Sequence, residues 1–343
     1  MKLTFLGTGT SIGVPAIGCQ CEVCRSTEAR DKRLRQSAYL ETDGGIRVLI
    51  DCGPDFRQQT TRFPFTKIDA VVISHIHYDH VAGIDDLRPF CMFGDVDIYC
   101  QDDVVRGLHQ TMPYCFKENL YPGVPHLNLH TIEPHESFIV SRSKEVVAQF
   151  PPSGASLSGV INKEGRTIVV PPAEGSLEIT PIRVMHGKMP ILGFIFREPP
   201  SQPDTYSEIL NLRLPRGEEI ESHTFLAANQ QGIESSPFEG DKRGSTPHYS
   251  SLAYITDMKS IDEAECEYLH DIDILVVNAL RFEKPHHSHQ LVDDAIAFSR
   301  RIGAKRTYLI HLTHDIGTHD IANSRLPEGF EFAYDGETIQ IKN

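Results

Sequence analysis

The segment SHIHYDH, residues 74–80, constrains this chain more than any other stretch. It follows the apolar run DAVVI, residues 69–73, which reads as a buried strand. His75 and His77 are two apart, so on extended chain they point the same way. Asp79 and His80 come where the strand pattern stops, and a turn there swings them towards a neighbouring point. Imidazoles with a carboxylate suit zinc and related divalent ions. Four such groups lie too close together for one tetrahedron, but they fit two adjacent ions. A single histidine here would read as a satisfied surface group. The whole H-x-H-x-D-H pattern behind an apolar run reads as a metal site.

Three other apolar runs end in the same manner. His186 closes EITPIRVMH, Asp257 closes SLAYITD and His311 closes RTYLIH. Strand ends at one edge of a sheet share a rim, where ligands distant in sequence can meet. A separate cluster, GCQCEVC, places Cys19, Cys21 and Cys24 at C-x-C-x2-C spacing. Thiolates so spaced can wrap one zinc ion in a tight loop. Three ligands are one short of four, and His286, His287, His289 and His314 are the candidates for the last.

Apolar runs such as LTFLG, RVLID, ILGFIF and DILVVNAL predict strands, and HQLVDDAIAFSRRIG predicts a helix stopped by Gly303. Strands and helices alternate without a strict βαβ rhythm, so an α/β fold of sheets with helices outside is expected. Residues 141–176 and 199–250 are turn-rich and read as insertions within a single domain spanning 1–343. The formal net charge is −14, from 47 acidic and 33 basic residues. That balance disfavours a sequence-independent grip on nucleic acid. No apolar run reaches the roughly 18 residues of a membrane span. Eight cysteines in so long a chain suggest a reducing cytoplasm rather than a disulfide framework.

The order of these motifs resembles the metallo-β-lactamase fold superfamily. The resemblance rests on DCG at Asp51–Gly53, the H-x-H-x-D-H segment, and the later His186, Asp257 and His311. It implies an αββα sandwich with a two-metal site. His75, His77 and His186 would hold one ion; Asp79, His80 and His311 would hold the other; Asp257 would bridge. Asp51 matches an aspartate that supports the ligands from behind. TGTSIGVPAIGCQCEVC, DHVAGIDDLR and LPEGFEFAYDG are similar to a narrower subfamily, typified by the phosphoribosyl cyclic phosphate phosphodiesterase of carbon–phosphorus lyase metabolism. That resemblance implies His314 as the fourth ligand of a structural zinc. It implies His289 as the proton donor or a substrate contact.

The expected activity is hydrolysis of a small phosphodiester, cyclic phosphoribosyl compounds included. Water shared by two divalent ions, zinc or manganese, would attack phosphorus. Asp79 counts among the catalytic groups as well as the ligands. His289 is the first choice to protonate the leaving oxygen and His286 the second. Lys188 and Arg88 are candidates to bind phosphate oxygens. The expected partner is a small molecule rather than nucleic acid or membrane, with a homodimer as a possible assembly. A tRNA-processing endonuclease of the same fold would need a basic arm, yet residues 199–250 carry eight Asp/Glu against four Lys/Arg. An ester or lactone hydrolase is a further alternative. A metal-binding protein without turnover is disfavoured, since binding alone does not require an open two-metal rim.

Overall fold

Alternating side chains of one strand point to opposite faces, so a strand covered on both faces must be apolar at both parities. DAVVI and DILVVNAL satisfy that condition, and both become interior strands. A computed structural model of the chain describes residues 1–141, 158–161, 167–170, 175–198 and 249–341. Strands β1 to β7 are Lys2–Gly7, Ser37–Glu41, Arg47–Ile50, Ala70–Val72, Val96–Cys100, Leu127–Thr131 and Phe138–Ser141. Ser158–Ile161 and Thr167–Val170, β8 and β9, pair with each other as a small antiparallel ladder. Strands β10 to β13 are Ser176–His186, Met189–Glu198, Ser250–Ile255 and Ile274–Asn278. Strands β14 to β16 are Arg306–Ile310, Phe330–Phe332 and Thr338–Gln340.

Two seven-stranded sheets result, ordered β16-β1-β2-β3-β4-β5-β6 and β15-β14-β13-β12-β11-β10-β7. Their inner faces share one apolar core. Leu3, Phe5, Leu40, Val48 and Val72 of the first sheet meet Phe194, Leu252, Tyr254, Val276 and Ile310 of the second. The outer faces bury the opposite parity. Leu49, Val71 and Ile98 pack with Phe56, Val104 and Leu108. Ile255, Leu275, Val277 and Leu309 pack with Val292, Ala295 and Phe298 of the helix Val292–Ile302. That helix ends at Gly303, whose φ of 72° is the left-handed stop expected of glycine. The result is the expected αββα sandwich. Most of both expected insertions lies outside the described residues, and their bounds Ser141, Ser176 and Ser250 already belong to strands.

Each sheet runs parallel on the side that matters for function. Strands β3, β4 and β5 are mutually parallel, as are β12, β13 and β14. Their C-terminal ends therefore lie along one edge of the sandwich. Ile255 pairs with Val277 and Val277 with Leu309, so Asp257 and His311 leave their strands at the same height.

Close packing at this edge explains the glycine of DCG. A Cβ on Gly53 would stand 1.9 Å from the backbone oxygen of Asp79. The neighbouring Cys52 N–H donates to His80 O at 2.8 Å, and Gly83 N–H donates to Cys52 O at 2.8 Å. These two loops thus touch backbone to backbone. Gly53→Ala should cost about 1–3 kcal/mol by overpacking. Denaturant unfolding checks it, and a stability equal to the parent protein would show that the contact yields freely.

Candidate metal centre

The strand of DAVVI stops at Val72, earlier than the apolar pattern suggests. His75 and His77 therefore sit beyond the strand, not on it. His77 occupies the N-cap of the short helix Tyr78–Val81, which carries Asp79 and His80. The ring centroids of His75 and His77 are 4.5 Å apart, and His75 Nε2 lies 2.9 Å from His77 Nδ1. The two histidines still converge, but a turn and a helix cap achieve it in place of strand pleat.

Three residues just past strand ends have left-handed backbones: Asp51 at φ 56°, Asp257 at φ 56° and His311 at φ 58°. For a residue with a Cβ this conformation costs about 1–2 kcal/mol. It breaks the strand's alternation at the rim, and all three side chains enter the same polar cluster. Asp257 Oδ1 lies 2.9 Å from His311 Nε2 and 2.8 Å from His289 Nε2. Its Oδ2 lies 3.0 Å from His80 Nε2 and accepts from Thr256 Oγ1 at 2.8 Å. The loop behind Asp257 is fixed by Asn278, whose side chain bonds both Met258 N–H at 2.8 Å and Met258 O at 3.0 Å.

Asp51 and Ser74 set the orientation of His80. Asp51 Oδ2 lies 2.7 Å from His80 Nδ1, while Asp51 Oδ1 accepts from Ser74 N–H at 2.8 Å. Ser74 Oγ also lies 3.0 Å from His75 Nδ1. His186 is held similarly: its Nδ1 is 2.9 Å from Asp257 O and 3.0 Å from Ser288 O. Holding one ring nitrogen by a carboxylate or carbonyl leaves the other for a metal.

The donor set fits divalent ions. His75, His77 and His186 place ligand atoms within 4.8 Å of one another, and so do His75, His80 and Asp257. Asp79 Oδ2 reaches His80 Nε2 at 3.3 Å, and His311 joins through Asp257. His80 Nε2 and His311 Nδ1 are buried without a hydrogen-bond partner. His80 Nε2 stands close to two carboxylates yet is misaligned to bond either. A buried nitrogen left in that state is explained by a ligand that the protein itself does not supply.

Electrostatics favour ionised carboxylates here. Burial pushes Asp257 up, but the charges of His311 and His80 and its hydrogen bonds hold it well below the usual carboxylate range. Asp79 is likewise held low, burial being outweighed by His80. Burial drives His75 well down, with repulsion from His80 adding to it. His80 is opposed by burial, yet Asp51 and Asp257 raise it well above the ordinary imidazole value.

His289 and His286 lie against this cluster. His289 forms a 4.8 Å group with His186 and Asp257. Its Nδ1 lies 3.0 Å from His286 Nδ1 and 3.1 Å from Ser288 Oγ. Burial pushes His289 down to about 4, against the pull of Asp257. His287 is exposed, its ring tilted 33° to that of His286 at 4.4 Å. Lys188 is exposed in the turn between β10 and β11, two residues after His186. Arg88 instead forms a surface pair with Asp85, both contacts at 2.9 Å.

The cysteine loop forms a second cluster. Cys19, Cys21, Cys24 and His314 place ligand atoms within 4.8 Å of one another. His314 Nδ1 is 3.4 Å from Cys21 Sγ and 3.9 Å from Cys19 Sγ. His286, His287 and His289 stay with the rim, so of the four histidine candidates His314 is the one beside the thiols. The Cys24 backbone N–H leads the lowering of Cys21 to about 7, while burial raises Cys24 to about 11.

Sequence reasoning missed Ser74, Asn278 and Ser288. Ser74 stands inside the metal motif, but a serine there carries no distinctive spacing. Asn278 and Ser288 act through backbone groups of loops that only folding brings near.

Residues 46–206 and 245–312 match the family described as the Beta-lactamase superfamily domain. An octanoyltransferase of Porphyromonas gingivalis is 32% identical over 336 residues, covering 98% of this chain. This chain spans about half, 51%, of that relative. The crystal structure of a diphosphatase from the PhnP family is 29% identical with a TM-score of 0.66, covering 98% of this chain and 96% of that one. Zinc-bound PqqB from Methylobacterium extorquens is 17% identical with a TM-score of 0.59, over 99% of this chain and 100% of that one. The chain belongs to the metallo-β-lactamase superfamily and resembles its PhnP-like members.

Proposed function

We propose that this chain is a dinuclear metal-dependent phosphodiesterase acting on a small phosphodiester. The observation that carries the reading is the meeting of His75, His77, Asp79, His80, His186, Asp257 and His311 at one strand-end rim. His75, His77 and His186 would hold one ion, Asp79, His80 and His311 the other, with Asp257 between them. Two ions there would acidify water and offset charge developing on phosphate oxygens.

The chain's own residues do the rest. Asp51 and Ser74 lock His80, and backbone carbonyls lock His186, so the rim is organised before substrate arrives. His289, backed by His286 and Ser288, would give the leaving oxygen a hydrogen bond. It would give a proton only once anionic substrate beside it offsets the burial that holds it at about 4. Lys188, exposed in the turn two residues after His186, would approach a phosphate oxygen. Arg88 would first have to leave Asp85. The likeness to a PhnP-family diphosphatase across nearly the whole chain supports phosphorus as the centre attacked. A carboxylic ester or thioester is the second reading, favoured by the octanoyltransferase relative. A hydrolysis panel on metal-replete protein separates the two: bis-p-nitrophenyl phosphate and cyclic ribose phosphates against lactones and octanoyl thioesters. Turnover confined to the carbon esters would overturn the phosphodiesterase reading.

His289→Ala tests the proton donor. A general acid contributes about 10²–10⁴-fold. The variant should lose about that much kcat on diesters with alkoxide leaving groups and far less with p-nitrophenolate, with metal content unchanged. Equal losses on both substrates would assign His289 to substrate binding, and a loss of metal would assign it to ligation.

The cysteine loop is proposed to hold a structural zinc through Cys19, Cys21, Cys24 and His314. The three thiols and one imidazole are the donor set that zinc prefers. Cys21→Ser should reduce zinc content by about one ion per chain and lower the melting temperature. Unchanged zinc stoichiometry by elemental analysis would refute the site.

A further inference from the structure

A cavity of about 460 Å³ lies beside the cysteine loop. None of its lining residues belongs to either metal-ligand cluster. Lys32, Arg33 and Arg62 face it with a single carboxylate, that of Asp335. In a chain of net charge −14, three cations against one anion is a marked local reversal.

Asp335, Asp31 and Glu337 attract Arg33 through space without pairing to it directly. Arg33 is 3% exposed. Its Nη1 donates to Thr8 Oγ1 at 2.8 Å and Ala333 O at 2.7 Å, and its Nη2 lies 3.3 Å from His319 Nδ1. All three partners are neutral groups, since burial pushes His319 down to about 4. Lys32 Nζ donates to Cys24 O at 3.2 Å. Neither Lys32 nor Arg33 forms an ion pair among the described residues. Arg62 Nη1 is buried without a hydrogen-bond partner, and Arg62 Nη2 stands 3.8 Å from Asp335 Oδ2. Asp335 cannot serve them all, because it already accepts from Thr8 N–H, Thr8 Oγ1 and Leu34 N–H at 2.7–2.9 Å. A buried guanidinium nitrogen without an acceptor is costly, so Arg62 Nη1 gains from an anion that enters the cavity.

We propose that this cavity binds the phosphate group of a small phosphorylated molecule. Arginine forks match phosphate oxygens and pair with them strongly. The volume lies in the range of small-molecule sites and leaves room beyond a phosphate, and Val14 and Leu34 supply apolar wall for the rest of the ligand. The bound molecule would brace the cysteine loop, since Val14 packs on Cys24 and Lys32 holds the Cys24 carbonyl.

The test is calorimetric titration of metal-replete protein with ribose 5-phosphate, inorganic phosphate and ribose. Four proteins are compared: the parent chain, Arg62→Gln, Lys32→Gln, and Asp257→Asn to disable the metal rim. Ribose 5-phosphate should bind the parent and still bind Asp257→Asn, in which the rim no longer offers a second phosphate site. Each cavity variant should bind about tenfold more weakly, the scale of one lost charge-assisted bond. Hydrolysis of bis-p-nitrophenyl phosphate should be unchanged in both cavity variants. Lys32→Gln removes a half-buried side chain and keeps the test valid if Arg62→Gln fails to fold. Ribose should not bind. Inorganic phosphate binding as tightly as the ester would overturn the organic part of the ligand. Affinity unchanged in both cavity variants, or lost only in Asp257→Asn, would overturn the site.

Discussion

The carboxylate of Asp257 is the contact on which the rest of the rim depends. It is 2% exposed and meets His80, His289 and His311 within 3.0 Å. His80 comes from the short helix beyond β4 in one sheet, whereas His311 follows β14 in the other. One buried charge therefore joins the edges of both sheets. An isolated carboxylate in that position would cost several kcal/mol. Its imidazole neighbours offset that cost, and the positive charge it attracts is also what suits it to a divalent ion.

The sandwich supplies the rigidity that such a cluster needs. Parallel strands with both faces covered end at a common edge, and the register of β12, β13 and β14 sets Asp257 and His311 level. Left-handed residues at the strand ends then depart from the pleat. Their strain is tolerated because surrounding bonds over-determine them: Asn278 grips Met258, and Gln290 N–H reaches Met258 O at 3.1 Å. The segment carrying His289 is thereby tied to the loop carrying Asp257.

A single short segment couples the two clusters. In HLTH, His311 faces the rim and His314 faces the thiols. Leu312 N–H between them donates to Thr8 O at 2.9 Å, and Gly9 bridges Leu312. The N-terminal loop is therefore held on one side by its cysteines and on the other by backbone pairing. The cation-lined cavity opens against this same loop, which places three chemically distinct features on one stretch of chain.

The candidate ligand residues were legible in the sequence because metal chemistry admits few residue types and apolar runs mark where strands end. His75, His77, Asp79, His80, His186, Asp257 and His311 stood out on those grounds. The same logic exposed the thiol triplet but left its fourth partner open among several histidines until the resemblance pointed to His314. Tertiary structure decided what spacing cannot encode. It moved His77 from a strand to a helix cap, recruited Ser74 and Asn278 to fix ligand loops, and gathered Lys32, Arg33 and Arg62 around one cavity. Each of these is an ordinary residue locally. Spacing along the chain records which groups can share a turn, whereas meetings between distant segments depend on strand register and on packing between sheets.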